Sequence, residues 1–192
     1  MTDLRLSLIR HGETDGSVSG QHTGRTDLPL TEKGERQALQ LRATLRQTKF
    51  DRVYTSALGR ARRTCDLAGL AGIAQVEPSL REWDYGEYEG KTTLQIRETR
   101  PEWNLFRDGC PQGESADEVG RRADRLLSRL RAEQGAIALF SHAHFLRVLA
   151  VRWIGLPVEE GQHFALNTGS LSGLGYEHPD RDIPCIFLWN AG

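Results

Sequence analysis

The stretch Leu6-Ser7-Leu8-Ile9-Arg10-His11-Gly12-Glu13-Thr14 decides the fold, because an apolar run ends there at an arginine and a histidine. The run from Leu4 to Ile9 predicts a buried β-strand. In an open α/β sheet, ligands bind outside the carboxyl ends of the strands, which is where Arg10 and His11 would lie. Gly12 carries no side chain, so a ligand or another backbone segment can approach closely at this position.

The residue types at this strand end suit an anionic substrate. A guanidinium group binds two oxygens of an anion in its planar fork. An imidazole is a nucleophile near neutral pH. A histidine followed by a glycine is by itself better interpreted as a solvated strand end. The complete motif from Arg10 to Thr14, placed directly after an apolar strand, is more specific and favours a catalytic histidine.

Composition and length exclude several classes of protein. The chain of 192 residues predicts one domain, spanning 1–192, and its net charge of -1 argues against a broad nucleic-acid surface. Cys65, Cys110 and Cys185 are far apart and form no C-x-x-C motif, so no disulfide framework, metal site or other cofactor is expected. No apolar run approaches the roughly 18 residues of a membrane span, and no signal peptide is evident, which predicts a cytoplasmic protein. The sequence is also compatible with a homo-oligomer.

Strand and helix patterns alternate along the chain, which predicts an α/β three-layer sandwich with a central, mostly parallel sheet and helices on both faces. Predicted strands cover 4–9, 52–56, 75–80 and 136–140, with two or three more near 163–167, 171–176 and 183–189. Predicted helices cover 32–46, 92–99 and 145–154, with one that begins at Ala57 and one behind the capping box Ser115–Glu118. The glycine-rich segment 15–29 predicts a loop that forms a pocket wall. Residues at about 83–113 predict a short cap-like excursion from the sheet.

A second histidine follows a second apolar strand. His142 comes directly after the run Ala136–Phe140, so His11 and His142 would meet at one sheet edge if the two strands are parallel neighbours. Arg10 and Arg60 can join them there, since Arg60 lies near a helix N-terminus, where anions find exposed N–H donors. Two histidines and two arginines around one space suit a phosphoryl group, whose transfer depends on positioning and charge stabilisation.

Phosphoryl transfer through a histidine needs an unprotonated nitrogen and an acid. The other N–H of the His11 ring would be held by a backbone carbonyl or by Glu13. Glu82 is the candidate that protonates the leaving alkoxide, and the same carboxylate would then activate water. The alternative acids are its neighbours: Asp84, Glu87 and Glu89.

These motifs resemble the histidine phosphatase superfamily, which has the phosphoglycerate-mutase-like fold, and the match covers nearly the whole chain. The matching segments are Arg10–Thr14, Thr55–Ala61, Leu80–Gly90 and Ser141–Arg147, with Ala143 where glycine is usual. The resemblance implies that His11 is the phosphorylated nucleophile and Glu82 the proton donor. It also implies that Arg10, Arg60 and His142 bind the phosphate.

Three segments more specifically resemble the sedoheptulose-1,7-bisphosphatase branch, which implies a sugar bisphosphate as substrate: Ser19–Gly24, Arg81–Gly90 and Trp103–Cys110. The positions so implied in substrate binding are Ser17, Thr23, Gly24, Tyr85, Tyr88, Trp103, Arg107 and Ala143. Asn167 and Thr168 resemble a late family position near the site. One departure is Gly16-Ser17, where many members carry Trp-Asn. Ser17 can still donate a hydrogen bond, with a shorter reach.

Several of these side chains have an equally acceptable structural interpretation. Tyr88, Trp103 and Arg107 could bind a sugar phosphate or simply pack the cap. His22 could contact substrate or be an exposed loop residue. His144 lies two residues after His142, so on a strand the two would point to opposite faces. We therefore expect His144 to be a packing residue or a residue that supports a site residue, and not to share a metal with His142.

The sequence as a whole predicts a metal-independent phosphatase that acts on a small phosphorylated metabolite through a phosphohistidine on His11. A mutase is the first alternative, but it would have to exclude water, and the segment between Glu82 and Ser115 is short for that purpose. A non-catalytic scaffold that binds phosphorylated ligands is the second, although it would not need Glu82. A metal hydrolase would need clustered ligands, which the sequence does not suggest.

Overall fold

A mostly parallel sheet forms the centre of the fold. The computed structural model describes residues 4–178 and 183–192, and within these ranges six strands form one sheet in the order β3-β2-β4-β1-β5-β6. The strands are β1 (Arg5–Arg10), β2 (Arg52–Thr55), β3 (Ala74–Val76), β4 (Ala136–Ser141), β5 (Leu171–Tyr176) and β6 (Pro184–Ala191). Strands β3, β2, β4 and β1 are parallel, whereas β5 and β6 add to the β1 edge in antiparallel orientation.

The helices lie between the strands along the chain. They are α1 (Asp15–Ser19), α2 (Glu32–Leu45), α3 (Gly59–Leu67), α4 (Thr93–Thr99), α5 (Leu105–Asp108), α6 (Ala116–Arg131) and α7 (Ala143–Trp153). Single turns of 3-10 helix cover Ala71–Ile73, Pro78–Leu80 and Gly86–Tyr88, and a longer one covers Val158–His163. Thr31 caps α2 and Ser115 forms a capping box with Glu118 at α6, as the sequence predicts.

Helices cover both faces of the sheet, which confirms the three-layer α/β prediction. Side chains alternate between the faces of a strand, so Leu6 and Leu8 of β1 lie in one core and Ile9 in the other. Helices α6 and α7 fill the first core. Helices α2 and α3 fill the second, where Leu41 and Leu45 are buried. No helix in the described part of the chain is both long enough and apolar enough to cross a membrane.

The predictions for residues 15–29 and 163–167 are wrong. Residues 15–29 were expected to be a loop, yet α1 forms at Asp15–Ser19 because Thr14 and Ser17 make a capping box that satisfies both backbone donors. The strand expected at 163–167 is absent from the described structure. The carbonyls of Ala165 and Leu166 accept hydrogen bonds from the side chains of Trp189 and Arg10, so they are not used in a ladder.

The cap-like segment 83–113 contains α4, α5 and one 3-10 turn. Its buried aromatic side chains belong to the same core as α6 and α7: Trp83, Tyr85, Tyr88, Trp103 and Phe106. The backbone of His22 pairs with this segment through Lys91 and Gly90, which joins the cap to the loop after α1. The assignment of 1–192 to a single domain stays a prediction, because residues 1–3 and 179–182 lie outside the described part.

Candidate active site

The ends of β1 and β4 bring His11 and His142 together. The two strands are adjacent and parallel, and Arg10 pairs in register with Ser141. The residue that follows each strand is therefore a histidine at the same sheet edge. The ring centroids of His11 and His142 are 5.1 Å apart, and both side chains are buried. The expectation that two strand-end histidines meet is confirmed.

The His11 ring is held as a neutral imidazole. Its Nδ1 lies 2.7 Å from the Gly12 carbonyl, so Nδ1 carries the proton and donates it, and Nε2 keeps its lone pair. Burial, and then the charges of Arg10 and Arg60, lower the pKa of His11 well below its ordinary value. Of the two partners predicted for this N–H, the carbonyl is the one used. The Glu13 carboxylate instead accepts from Thr31 and Lys33.

Gly12 is needed for a close approach of backbone to backbone. A Cβ atom at this position would lie 2.3 Å from the Gly34 carbonyl oxygen, at the start of α2. The Gly12 N–H donates to the Thr64 hydroxyl of α3 at 3.0 Å. Helices α2 and α3 therefore both fix the turn that presents His11.

Arg60 lies at the start of α3 and is almost completely buried. Its Nε donates to His142 Nδ1 at 3.1 Å, so His142 Nδ1 is an acceptor and the proton of this ring is on Nε2. His142 Nε2 in turn lies 2.8 Å from the Ser56 hydroxyl, to which it donates. Burial and the charge of Arg60 lower the pKa of His142 well below its ordinary value. Ser56 was not predicted as a site residue, although it lies inside the motif Thr55–Ala61.

The terminal nitrogens of Arg60 also organise the loop after α1. They donate to the carbonyls of Thr23 and Thr26, both at 2.8 Å, and to that of Gly24 at 3.3 Å. Thr23 and Gly24, predicted to bind substrate, thus contact Arg60 through backbone carbonyls. Glu89 holds the same loop from the cap, because its carboxylate accepts from the N–H groups of Gly24 and Thr26.

Arg10 carries an unpaired donor. One terminal nitrogen donates to the Leu166 carbonyl, whereas Nε is buried and has no hydrogen-bond partner among the described residues. A buried donor without an acceptor is costly, by about 1–3 kcal/mol. An anionic oxygen beside His11 would satisfy it.

Glu82 is held at the N-terminus of α7. Its Oε1 accepts the backbone N–H groups of Trp83 and Phe145, both at 2.9 Å, and its Oε2 accepts that of His144 at 3.2 Å. The first turn of a helix leaves such N–H groups without intrahelical partners, so a carboxyl group is well placed there. Glu82 also interacts electrostatically with Arg10 and Arg60. Of the alternative acids, Asp84 pairs with Arg25 and Glu87 is exposed.

Arg122 supports Glu82 from beneath, and sequence reasoning missed it. It is buried in α6, where it pairs with Glu114 at 2.7 Å and lies over the Phe145 ring. Its remaining donors go to backbone carbonyls of the segment that ends at Glu82: those of Ser79, Arg81 and Glu82 itself. An arginine inside an amphipathic helix pattern gives no local signal of this role.

Comparison with known proteins decides the family. A sequence model of the histidine phosphatase superfamily (branch 1) matches residues 6–187. The chain belongs to this superfamily. The resemblance stated from the motifs is therefore confirmed, and with it the class of phosphoric monoester hydrolase.

Relatives of this phosphatase match it along nearly its whole length. An acid phosphatase of Mycobacterium tuberculosis is 42% identical over 188 residues, which cover 96% of this chain and 92% of the relative. A sedoheptulose 1,7-bisphosphatase of Saccharomyces cerevisiae is 36% identical, again over 96% of this chain and 92% of the relative. A solved structure of an open reading frame from Mycobacterium tuberculosis has a TM-score of 0.92 at 39% identity and covers 97% of each chain. The predicted phosphoglycerate-mutase-like fold is thereby confirmed.

Three of the residues predicted to bind substrate make other contacts within the cap of the phosphatase. Trp103 Nε1 donates to the Gly109 carbonyl at 2.9 Å, and the Trp103 ring packs edge-on against Tyr88 at 5.3 Å. Arg107 is exposed and bonds Asp108, the next residue along the chain. The packing interpretation fits Tyr88 and Trp103, and the structure does not bring the Arg107 guanidinium to the histidines.

Tyr85, His22 and His144 form a cluster beside Glu82, in which Tyr85 and His22 are buried and the His144 side chain is 21% exposed. The Tyr85 hydroxyl lies 2.6 Å from His144 Nδ1, and the His22 ring packs against Tyr85 at 4.8 Å and against His144 at 5.7 Å. The expectation that His142 and His144 lie on a strand is wrong, because His142 is the N-cap of α7 and His144 lies in its first turn. Ala143 is the first residue of this helix and is half-buried.

Ser17 and Arg10 line one cavity. The cavity has a volume of about 690 Å³, and Arg10, Ser17, Asn167 and Thr168 are among its lining residues. Asn167 and Thr168 thus line the same cavity as Arg10, and their place near the phosphate stays a prediction. The Ser17 hydroxyl itself is engaged with the Thr14 backbone. Among the described residues, no group of three or more His, Cys, Asp or Glu side chains is arranged to hold a metal ion.

Proposed function

We propose that this phosphatase hydrolyses a small phosphorylated metabolite, of the sugar bisphosphate class, through a phosphohistidine on His11 and without a metal ion. The observation that carries the proposal is the hydrogen bond from His11 Nδ1 to the Gly12 carbonyl. It fixes the tautomer with a lone pair on Nε2, in a buried space shared with Arg10, Arg60 and His142. A neutral imidazole beside fixed cations is what attack on a phosphoryl group needs.

In the first step, His11 Nε2 attacks phosphorus and the ester P–O bond breaks. The charge on the phosphoryl oxygens is stabilised by the guanidinium groups of Arg10 and Arg60, and His142 is held beside them by Arg60 and Ser56. The unpaired Nε of Arg10 gains an acceptor in this complex. Glu82 transfers its proton to the leaving alkoxide, which departs as an alcohol.

In the second step, water attacks the phosphorus of phosphohistidine and the P–N bond breaks. Glu82, now a carboxylate, accepts a proton from that water, so it ends the cycle protonated again. Inorganic phosphate leaves, and His11 returns to its neutral form. No further acid, base or metal ion is required for the balance of protons and charge.

The assignment of a sugar bisphosphate as substrate is supported by the similarity of this chain to a sugar bisphosphatase. The S. cerevisiae relative is named a sedoheptulose 1,7-bisphosphatase, and the segments that resemble its branch lie in the loop after α1 and in the cap. The M. tuberculosis relative is named an acid phosphatase, which leaves a broader class of phosphomonoesters as the alternative outcome of the test.

The test is phosphate release from a panel of substrates, with a chelator present. The panel contains sedoheptulose 1,7-bisphosphate, fructose 1,6-bisphosphate, 3-phosphoglycerate and 4-nitrophenyl phosphate. We expect preference for a bisphosphorylated sugar, insensitivity to the chelator, and an acid-labile phosphoryl label on the protein after rapid quenching. His11→Ala should abolish turnover and labelling. His163→Ala, at an exposed histidine, is the matched control and should leave both unchanged.

A different result would contradict each part of the proposal. Near-normal turnover by His11→Ala would rule out the phosphohistidine. Indiscriminate release from all four substrates would exclude the sugar bisphosphate as the preferred class. Loss of activity in chelator that added metal restores would overturn metal independence. No release by the folded protein would favour the phospholigand-binding scaffold.

A further inference from the structure

The two oxygens of the Glu82 carboxyl group are not equivalent. Oε1 accepts two backbone N–H groups, and Oε2 accepts one, from His144 at 3.2 Å. A protonated carboxyl oxygen donates a hydrogen bond and accepts less readily, so the proton of the acid belongs on the less engaged oxygen, Oε2. The His144 ring nitrogen Nδ1 lies 3.9 Å from this oxygen. The acid proton is therefore carried on the side of Glu82 that faces His144.

The His144 ring nitrogen that lies near Oε2 also binds the Tyr85 hydroxyl. The distance from Tyr85 Oη to His144 Nδ1 is 2.6 Å, and Tyr85 is buried. Burial and the charge of Glu82 raise the pKa of Tyr85 well above its ordinary value, so the phenol keeps its proton. Burial, and then Arg147, His22 and Arg10, lower the pKa of His144 well below its ordinary value. One proton lies between the two neutral groups, and the hydroxyl has a fixed orientation.

Aromatic rings pack against both members of this pair. The His22 ring covers Tyr85, and the Phe106 ring packs edge-on against His144 at 5.6 Å. A buried polar pair costs free energy compared with an apolar one of the same shape, so packing alone would not require it. A neutral His144 makes no ion pair with Glu82 and is available as the partner of the phenol.

We infer that His144 is a positioning residue for the acid step. The Tyr85 hydroxyl fixes the His144 ring, whose Nδ1 lies 3.9 Å from Glu82 Oε2, so that the Tyr85–His144 pair directs the Glu82 proton to the leaving oxygen. The Glu82 O–H bond breaks and the O–H bond of the leaving alcohol forms, while Tyr85 and His144 keep their own protons. The inference rests on the proposed function, because it needs Glu82 to be the acid.

The experiment compares a poor with a good leaving group. Protonation matters for an alkyl phosphate such as glycerol 1-phosphate and much less for 4-nitrophenyl phosphate. We expect Tyr85→Phe and His144→Leu to lower kcat for the alkyl ester at least about tenfold more than kcat for the aryl ester, as partial loss of acid catalysis would. His144→Asn, whose amide can still bond the phenol, should restore the ratio. His163→Asn should leave it unchanged. Tyr85→Phe conserves the ring, and melting temperatures verify folding of each variant.

A second comparison uses the Glu82→Gln background. There His144→Leu should produce no additional dependence on the leaving group, since the acid through which it acts is gone. Equal losses of kcat on the two esters for both Tyr85→Phe and His144→Leu would overturn the inference. So would a further fall, caused by His144→Leu in the Glu82→Gln background, in the ratio of kcat for the alkyl ester to kcat for the aryl ester. If Glu82→Gln alone shows no dependence on the leaving group, the proposed acid is wrong. If Glu82→Gln shows a dependence on the leaving group but Tyr85→Phe and His144→Leu do not, the proposed function stands and only the inference about His144 fails.

Discussion

The imidazole rings of His11 and His142 lie 5.1 Å apart, and their hydrogen bonds distinguish them chemically. Both ring nitrogens of His142 are engaged, Nδ1 by Arg60 and Nε2 by Ser56. The Gly12 carbonyl holds Nδ1 of His11. His142 is therefore held in one orientation by two partners, and His11 is suited to attack from Nε2. The two histidines occupy equivalent strand ends, and the different hydrogen bonds of their rings give them different roles.

The first prediction concerns Ser56. In Ser56→Ala, the buried Nε2–H of His142 loses its acceptor, and the ring loses the contact that fixes its orientation. Because the ring beside His11 is no longer held in one orientation, we expect kcat/KM to fall about tenfold to a hundredfold. Steady-state kinetics on 4-nitrophenyl phosphate measures it. Ser128→Ala, on the exposed side of α6, is the control. Activity of Ser56→Ala equal to that of the control would contradict the role of Ser56.

The second prediction concerns Glu82. Glu82→Gln keeps the shape of the side chain but removes the transferable proton, so poor leaving groups should suffer most. We expect the loss in kcat/KM for an alkyl phosphate to reach roughly a hundredfold or more, with a much smaller loss for an aryl phosphate. Glu87→Gln, an exposed acid of the same segment, should behave as wild type. Equal losses on both esters would mean that another group supplies the proton.

The third prediction concerns the buried pair of Arg122 and Glu114. Arg122→Ala leaves the Glu114 carboxylate buried without its main partner and frees the carbonyls of the segment that ends at Glu82. Breaking such a pair typically costs about 3–5 kcal/mol. We expect a loss of this size in the free energy of unfolding, measured by urea denaturation. Arg121→Ala, at the exposed neighbouring position, should change it by less than about 0.5 kcal/mol. A similar effect of the two variants would exclude a supporting role for Arg122.

The sequence reveals those parts of this site that depend on strand ends. An apolar run followed by Arg10 and His11, and another followed by His142, predicts both the sheet and the meeting of the histidines, because parallel neighbours share an edge. Helix caps at Thr31 and Ser115 are likewise local signals, and they are observed. Features that depend on the hydrophobic period of a strand or helix, or on residues close in sequence, can therefore be predicted from the sequence.

The rest depends on contacts between distant residues. Arg122 reaches the carbonyl of Glu82, forty positions earlier, and nothing in the α6 pattern identifies this contact. Arg107 carries the expected charge but bonds its neighbour Asp108 on the surface. His144 looked like a strand residue because the apolar run before it is a strand. The helix in fact begins at Ala143, and this places His144 beside Tyr85.

The last prediction concerns pH and His22, which joins the loop after α1 to the cap. Burial lowers the pKa of His22 from 6.5 to about 4. Between these two values the unfolded chain binds a proton at His22 that the folded chain does not bind, so stability falls as pH falls. With about 1.4 kcal/mol for each unit of pKa, the loss is on the order of 3 kcal/mol. Asn at this position does not titrate, so His22→Asn lacks the loss. We expect wild type to be clearly more stable than His22→Asn at pH 7.5 and this difference to shrink on acidification towards pH 4, measured by urea denaturation at each pH. A constant difference would show that His22 titrates alike in the folded and unfolded chains.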